Sequence, residues 1–482
     1  MGSLAVRAQL TVTGQLRTRT EVRDGYGTLE AKGAKAAFLT SQRARLSFHY
    51  KSSRVVFQAS VQDVRVWGAD ASTISAADGS RLMLHEAWGE LVLANARDSA
   101  LGRSAVDYFG IRIGRQEIVY DDQRLLGNLD WLQQGRRHDA VVFRLVQKGW
   151  QADLGAAFNQ NTDAVGYNGT YYTPANLPPY VKDSKGNLAP TPSGLVPLAN
   201  GAGLSARNGS PLLASPAGTN GMNQDYKSMQ YLYVAKTFNR TRLAGLAFAD
   251  EFGRYGLDSV RNIAGSDTGY IYGRRFNRSG VNARLTAGVL LTSQLDNRRH
   301  WSLQAGYYYQ TGRNKDGGSV GAYTTTLGLT YSSGRFAWTA GWDWLSPGFD
   351  PLYGTPHKFW GAMDYFYAGS GSPAGGLNNP FFKCKYTGAA GRFTLGLDYH
   401  YFALAGDQPD GKGAMVSKYL GSELDGIAGY TLNNIVGLEA GVCWLGASGS
   451  MDHAKGSTPG STRRDASWAY LQVNIKPTFF SK

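Results

Sequence analysis

The stretch QRARLSFHYK, residues 42–51, decides the fold class. Small or apolar side chains occupy every second position, at Ala44, Leu46, Phe48 and Tyr50. Basic and polar side chains occupy the positions between them, at Arg43, Arg45, Ser47, His49 and Lys51. A strand sends alternate residues to opposite faces, whereas a helix with about 3.6 residues per turn would mix the two sets. The stretch therefore predicts a β-strand with one apolar face and one hydrophilic face.

The same period of two recurs along the chain. It is present near the start, in residues 9–21, and in RVVFQASVQDVRVWG, residues 54–68. It returns in RFTLGLDYHY, residues 392–401, and in DASWAYLQVNIKPTFF, residues 465–480. No amphipathic helical pattern of comparable length occurs between these segments. The sequence therefore predicts an all-β protein.

The connectors between the predicted strands alternate in length. Short turns are predicted at residues 51–53, 147–149, 239–241, 296–299, 332–334, 389–391 and 432–434. Long polar loops are predicted at residues 121–137, 161–225, 252–279, 346–375, 406–416 and 446–464. Membrane barrels have brief turns on one side and extended loops on the other. We therefore predict a transmembrane antiparallel up-and-down β-barrel of about 18 strands, with short periplasmic turns and long extracellular loops, formed by residues 1–482 as a single domain.

Composition agrees with a barrel and limits the alternatives. No run of 18 apolar residues occurs, which excludes a transmembrane helix, and the mean hydropathy of −0.32 is what alternating lipid-facing and lumen-facing residues give. A large soluble β-propeller remains an alternative, but it would need a repeat of about 40 to 45 residues that we do not find. No basic segment followed by an apolar core opens the chain, so we expect no signal peptide within these residues.

Charge and cysteine content narrow the function. The net charge of +14, from 50 basic and 36 acidic residues, points to an anionic partner. The two cysteines, Cys384 and Cys443, form no metal-ligand cluster. By strand phase Cys384 faces lipid and Cys443 faces the lumen, so we expect no disulfide between them. We expect no cofactor and no metal.

Six motifs resemble one known family, the bacterial alginate export family of porin-like outer-membrane barrels. They are QDVRVWG (62–68), HEAWGE (85–90), GRQEIVYDDQRLLGNLDW (114–131), GFDPLYGTPHKFWGAMDYF (348–366), LGLDYHYF (395–402) and YLGSELD (419–425). The resemblance covers nearly the whole chain. It implies a monomeric barrel of 18 strands with an arginine-rich constriction, in which Arg65, Arg115 and Arg124 take the family's basic positions and Arg144 is a looser correspondence.

The strand alternation and the family resemblance together predict which residues line the pore. Because an arginine or lysine facing lipid at mid-bilayer costs about 2 to 4 kcal/mol, basic residues within spanning strands should face the lumen. The predicted pore-lining residues are Arg45, Arg65, Arg112, Arg115, Arg124, Arg144, Lys383, Lys385, Glu423 and Asp425. The apolar loop 121–137 is expected to fold inward as a constriction element. The alternative for any one of these arginines is a structural role, as part of a hydrated, ion-paired barrel wall.

We therefore expect a bacterial outer-membrane channel for an anionic solute, with an acidic polysaccharide such as alginate as the first candidate. A porin for small organic anions is the alternative from the same fold. An outer-membrane hydrolase is disfavoured because no Ser/His/acid spacing nominates a catalytic site. Nucleic-acid binding is disfavoured because the basic residues follow strand alternation. The expected partners are the lipid bilayer, the anionic solute or polyuronate, and periplasmic export proteins in the polysaccharide case.

Overall fold

The computed structural model describes residues 8–68, 82–97, 106–159, 177–198, 212, 226–263, 268–276, 278–367 and 373–482. The strands of the first half are β1 (Gln9–Asp24), β2 (Ala37–Lys51), β3 (Val55–Val66), β4 (Leu82–Asn95), β5 (Tyr108–Gln116), β6 (His138–Gln147), β7 (Trp150–Phe158), β8 (Tyr180–Lys182), β9 (Leu188–Pro190), β10 (Leu195–Pro197), β11 (Ser228–Phe238) and β12 (Thr241–Gly253). Those of the second half are β13 (Gly256–Asn262), β14 (Gly269–Arg275), β15 (Val281–Gln294), β16 (Trp301–Arg313), β17 (Ser319–Ser333), β18 (Phe336–Leu345), β19 (Leu377–Thr387), β20 (Phe393–Ala403), β21 (Tyr419–Thr431), β22 (Val436–Ala447), β23 (Asp465–Ile475) and β24 (Thr478–Ser481).

One antiparallel sheet closes on itself and confirms the predicted barrel. Sequential strands pair around the ring, with β7 joined to β11 and β12 joined to β15, and the ring closes where β1 pairs with β23 from Leu16↔Ile475 to Asp24↔Ser467. The last two strands, β23 and β24, are one barrel strand interrupted at Pro477, which has no backbone N–H to donate to the neighbouring strand. When β23 and β24 are counted as one, the barrel has 18 strands. Closure matters because lipid cannot satisfy the free backbone groups of a sheet edge.

The two faces of the barrel wall differ as the alternation predicts. On β2, Phe38, Phe48 and Tyr50 are exposed on the outer surface, whereas Arg43 points inward and is only 1% exposed. The outer face carries exposed leucines, valines and isoleucines on other strands as well, including Leu82, Leu91, Ile113, Leu154, Val442 and Leu471. Cys384 lies on the outer phase and Cys443 is buried inside, and both thiols are free, as expected.

Connector lengths follow the expected asymmetry, except that a long connector, residues 96–107 between β4 and β5, lies at the short-turn end and a short connector lies at the other end. Each predicted short turn separates two strands at one end of the barrel, the end that also holds residue 481 of β24. At the other end, the connector between β16 and β17 is only residues 314–318. The predicted loop 252–279 contains the β13–β14 hairpin, which pairs with β10 in a small separate sheet, and β8 pairs with β9. Of the predicted loop 161–225, the structure describes only residues 177–198 and 212.

Helix is scarce in the part of the chain that the structure describes. It comprises α1 (Ser450–Ala454) and two 3-10 turns, Pro356–Lys358 and Ala389–Gly391. Within the same residues, no helix has the length and apolar character needed to cross a bilayer.

Two long connectors turn back into the barrel and fill part of its interior. We call residues 117–137, between β5 and β6, lumen loop 1, and residues 346–367, between β18 and β19, lumen loop 2. The loops contact each other through a bridge between Leu126 and Tyr353 and a hydrogen bond from the Thr355 amide to the Gln123 carbonyl at 2.8 Å. Their apolar side chains join the buried cluster of the barrel. The sequence predicted an inward fold for lumen loop 1 but not for lumen loop 2.

Candidate functional site

The inward face of the barrel presents charged side chains from several strands. Register places five of the predicted pore-lining basic residues on this face: Arg45, Arg112, Arg144, Lys383 and Lys385. Arg45 donates to Gln62 Oε1 at 2.8 and 3.0 Å. Arg112 contacts Glu90 at 2.7 Å, Arg144 contacts Asp153 at 2.7 Å and Lys383 contacts Asp398 at 2.7 Å. The wall is therefore extensively ion-paired.

Arg65 does not face the lumen, contrary to the prediction. It pairs in register with Gln42, whose neighbours Arg43 and Ser41 point inward, so Gln42 and Arg65 share the outer phase. Its guanidinium contacts Asp63 on the same face at 2.6 Å. Arg65 lies next to the last residue of β3, where the cost of a charge on the lipid face falls to about 0 to 1 kcal/mol.

Arg115 also lies on the outer phase, for a reason that is visible in the spacing. Arg112 faces inward opposite Glu90, and Arg115 follows it by an odd number of positions, so a regular strand turns Arg115 outward. It contacts Asp139 at 2.8 Å, and both side chains are partly exposed near the loop end of the barrel. The expectation that both arginines of β5 converge on the channel is therefore wrong.

Arg124, the third arginine transferred from the resemblance, lies in lumen loop 1 and anchors it. Its guanidinium contacts Asp343 of β18 at 3.0 Å and Asp122 at 3.3 Å, and stacks over the Phe359 ring at 4.0 Å. It is almost fully buried. Two carboxylates already neutralise the charge, so Arg124 chiefly ties the loop to the opposite wall.

Arg17 and Arg43 were not predicted, yet they hold lumen loop 1 against β1 and β2. Arg17 contacts Asp130 Oδ2 at 3.1 Å and Arg43 contacts Asp130 Oδ1 at 2.8 Å. Arg17 also donates to Gln133 Oε1 at 2.9 Å. Burial would raise the pKa of the Asp130 carboxyl, but the two guanidinium groups hold that pKa below its usual value. Both arginines share the phase of Arg45, so alternation in the sequence was the signal that could have found them.

Glu423 and Asp425 face inward but lie beneath lumen loop 2 instead of lining open space. Glu423 accepts from the Met363 amide at 2.8 Å and Asp425 accepts from the Ala362 amide at 3.1 Å. Glu423 is 0% exposed. A Cβ on Gly361 would lie 2.6 Å from both carboxylate oxygens of Glu423, so the close approach of the loop requires glycine there. The prediction that these two acids line the pore is corrected accordingly.

A second set of contacts fixes the start of lumen loop 2. Arg284 of β15 contacts Asp250 of β12 at 2.5 Å, and both side chains are buried. Tyr353 donates its hydroxyl to the same carboxylate at 2.8 Å. The Arg136 guanidinium reaches from lumen loop 1 to the Gly354 carbonyl, and burial lowers the pKa of Arg136 to about 10.

Below the two loops, toward the short turns, the lumen contains a cavity of about 550 Å³, which we call the basic cavity. Five basic side chains line it: Arg124, Arg240, Arg242, Lys358 and Lys383. Seven hydroxyl side chains add to the lining: Thr237, Thr292, Ser293, Ser302, Thr326, Thr330 and Thr339. Among the described residues, its lining includes no acidic side chain. Such a surface favours an anion that also accepts hydrogen bonds.

A smaller cavity of about 320 Å³ lies beside β4, β5 and β6 and has a mixed lining. It combines Glu86, Glu90 and Glu117 with Arg112 and Arg144. Together with the buried His85, Glu86 and Glu117 bring their potential ligand atoms within 4.8 Å of one another. Glu117, however, already accepts from Asn128 at 2.8 Å and contacts His85 Nε2 at 2.8 Å. These carboxylates are therefore part of the internal hydrogen-bond network.

Comparison with known proteins supports the fold and part of the resemblance. Residues 8–158 match the family model described as alginate export. The resemblance is thus confirmed over this part of the chain, which includes the first three motifs. No curated protein sequence matches the chain.

Solved structures resemble the whole barrel. The outer-membrane protein OpdK of Pseudomonas aeruginosa is 12% identical, with a TM-score of 0.53 over 98% of this chain and 99% of that one. OccAB4 of Acinetobacter baumannii is 12% identical, with a TM-score of 0.56 over 99% and 100%. A BenF-like porin of Pseudomonas fluorescens is 10% identical, with a TM-score of 0.55 over 98% and 99%. At these identities the likeness shows the fold, which is that of outer-membrane porins.

Proposed function

We propose that this protein is a bacterial outer-membrane channel for small organic anions. The observation that carries the proposal is the basic cavity, whose lining holds five basic side chains and, among the described residues, no acidic side chain. Arg124, Arg242 and Lys383 are paired with carboxylates outside the lining, whereas Arg240 and Lys358 have no carboxylate within 4 Å among the described residues. A cluster of cations between low-dielectric protein walls raises the local concentration of anions in the lumen, and several weak contacts let each anion leave again.

The size of the open space favours a small solute over a polymer. The cavity of about 550 Å³ accommodates an organic acid or a short sugar acid, and the two lumen loops pack against each other beside it. Threading a polysaccharide would require lumen loop 1 to leave the contacts of Asp130 with Arg17 and Arg43, and lumen loop 2 to leave the buried contact of Tyr353 with Asp250. The OpdK structure that was solved with vanillate supports the same reading, because that similar barrel accepts a small carboxylate.

Export of an acidic polysaccharide is the second candidate, and the family match over residues 8–158 favours it. In that case a periplasmic partner would deliver the polymer and displace the loops. Both candidates describe transport without catalysis, in keeping with the porin fold and the export family.

The test is the reversal potential of the purified protein in planar bilayers under a potassium chloride gradient, followed by replacement of chloride with gluconate. We expect preference for anions and a measurable gluconate current. Preference for cations, or the absence of conductance, would contradict the proposal. Gluconate exclusion together with binding of oligouronates would favour the polysaccharide alternative.

A further inference from the structure

Most cations of the lumen already have a carboxylate partner. Among the described residues, the paired ones are Arg17, Arg19, Arg23, Arg43, Arg112, Arg124, Arg144, Arg242, Arg284 and Lys383. A guanidinium beside a carboxylate produces a weak field at a distance, because the opposite charges cancel. The anion preference of the proposed channel must therefore depend on the few basic groups that lack such a partner.

Lys358 is one of these few, and it is the one carried into the basic cavity by a lumen loop. It ends the 3-10 turn Pro356–Lys358, which begins with the fixed backbone angle of proline and is followed by Phe359. Among the described residues, no carboxylate oxygen lies within 4 Å of its ammonium nitrogen. Lys358 is exposed and lines the cavity, which Lys383 and Arg242 line on the strand side.

We propose that Lys358 is the residue that determines anion affinity in this channel, by binding the carboxylate of a permeating hydroxylated organic acid directly. The inference rests on the function proposed above. The carboxylate would contact the Lys358 ammonium, and the hydroxyl groups of the acid would exchange hydrogen bonds with the threonines and serines of the cavity wall.

The electrostatic environment of Lys358 agrees with direct binding of a carboxylate. Partial burial lowers the pKa of Lys358 from its usual value, while Asp122 and Asp130 raise it by a smaller amount. A charged group that has lost part of its hydration without gaining a counterion gains more from an arriving anion than a fully solvated lysine does. Lysine also suits transient binding, because its compact ammonium offers no bidentate fork to retain a carboxylate.

A control residue is available in the same lumen. Lys385 is an inward-facing, exposed lysine of β19 for which the described residues likewise supply no carboxylate within 4 Å, but it lies outside the lining of the basic cavity. Removing its charge alters the net charge of the lumen by the same amount as removing that of Lys358. A larger effect of the Lys358 substitution on anion binding would therefore indicate a local binding site at Lys358.

The experiment measures block of chloride current by gluconate in planar bilayers for the unsubstituted protein and for Lys358→Gln, Lys358→Arg and Lys385→Gln. We expect Lys358→Gln to raise the half-blocking concentration about tenfold, as loss of one charge-assisted contact does. Lys358→Arg should restore block, and Lys385→Gln should change it much less.

The outcomes separate this inference from the proposed function. Equal effects of Lys358→Gln and Lys385→Gln would overturn the local site while leaving an anion channel. An unchanged half-blocking concentration in Lys358→Gln would overturn it as well. Absence of both anion preference and gluconate block in the unsubstituted protein would overturn the proposed function itself.

Discussion

Two regions of the lumen use basic residues in opposite ways. The arginine wall, formed by β1, β2, β5 and β6, carries most of the inward arginines, and apart from Arg45 those of its strands contact carboxylates. The cavity wall, formed by the turn-side parts of β11, β12 and β15 to β19 and by both lumen loops, has fewer basic residues, but Lys358 there has no carboxylate within 4 Å among the described residues. The arginines of this barrel therefore mainly hold its loops in place. The number of arginines is therefore a poor measure of how strongly a lumen attracts anions.

The largest expected effect comes from breaking the anchor of the loop that completes the cavity wall. Asp250→Asn removes the charged carboxylate that contacts the buried Arg284 and weakens the contact to Tyr353. Removing one partner of a buried pair costs about 3 to 5 kcal/mol. Denaturant unfolding in detergent micelles, followed by intrinsic fluorescence, should show the loss.

Asp139→Asn is the matched control for that experiment. Its partner Arg115 lies in a partly exposed pair on the outer surface, and such pairs contribute about 0 to 1 kcal/mol. If both substitutions lowered the free energy of unfolding equally, the Asp250 pair would not be the anchor that its burial indicates.

A smaller effect is expected on the arginine wall. Asp130→Asn removes the carboxylate that Arg17 and Arg43 share, and it should free lumen loop 1 from β1 and β2. Because Asp130 is half exposed and water screens the pairs, we expect about 1 to 2 kcal/mol of destabilisation. Single-channel conductance should rise, and the anion preference should increase, because Arg17 and Arg43 lose the carboxylate that neutralises them. A conductance equal to that of the unsubstituted protein would show that the loop stays in place without this contact.

The same contact gives a pH dependence. The folded-state pKa of Asp130 is lowered, so its contribution is present above the ordinary aspartate value of about 3.9 and is lost only as the pH falls through the lower folded value. Acidification to slightly below the ordinary value should therefore leave conductance unchanged, and stronger acid should raise it. A conductance rise that begins above the ordinary value would contradict the assignment.

Strand alternation predicted the barrel well because it follows from local chemistry. Residues 43–51 alternate without exception, and the structure pairs all nine of them in one register. Side-chain partners depend on contacts between distant segments, which alternation does not report. Asp130 meets Arg43 only because lumen loop 1 folds inward, and Glu423 is covered only because lumen loop 2 does. Lys358 was overlooked for the same reason, since its segment carried no strand pattern.

The smallest expected effect concerns the two arginines that the sequence placed in the pore and the structure places outside. Arg65→Gln and Arg115→Gln should leave the reversal potential in a salt gradient unchanged, because both guanidinium groups lie on the outer phase beside Asp63 and Asp139. Arg45→Gln serves as the comparison. Its side chain faces the lumen and, among the described residues, hydrogen-bonds to the neutral Gln62 and to no carboxylate, so its loss should reduce anion preference. If the reversal potential of either outer variant shifted as much as that of Arg45→Gln, these arginines would lie on the conduction path. The assignment of inward and outward faces on which the comparison of the two walls depends would then be wrong.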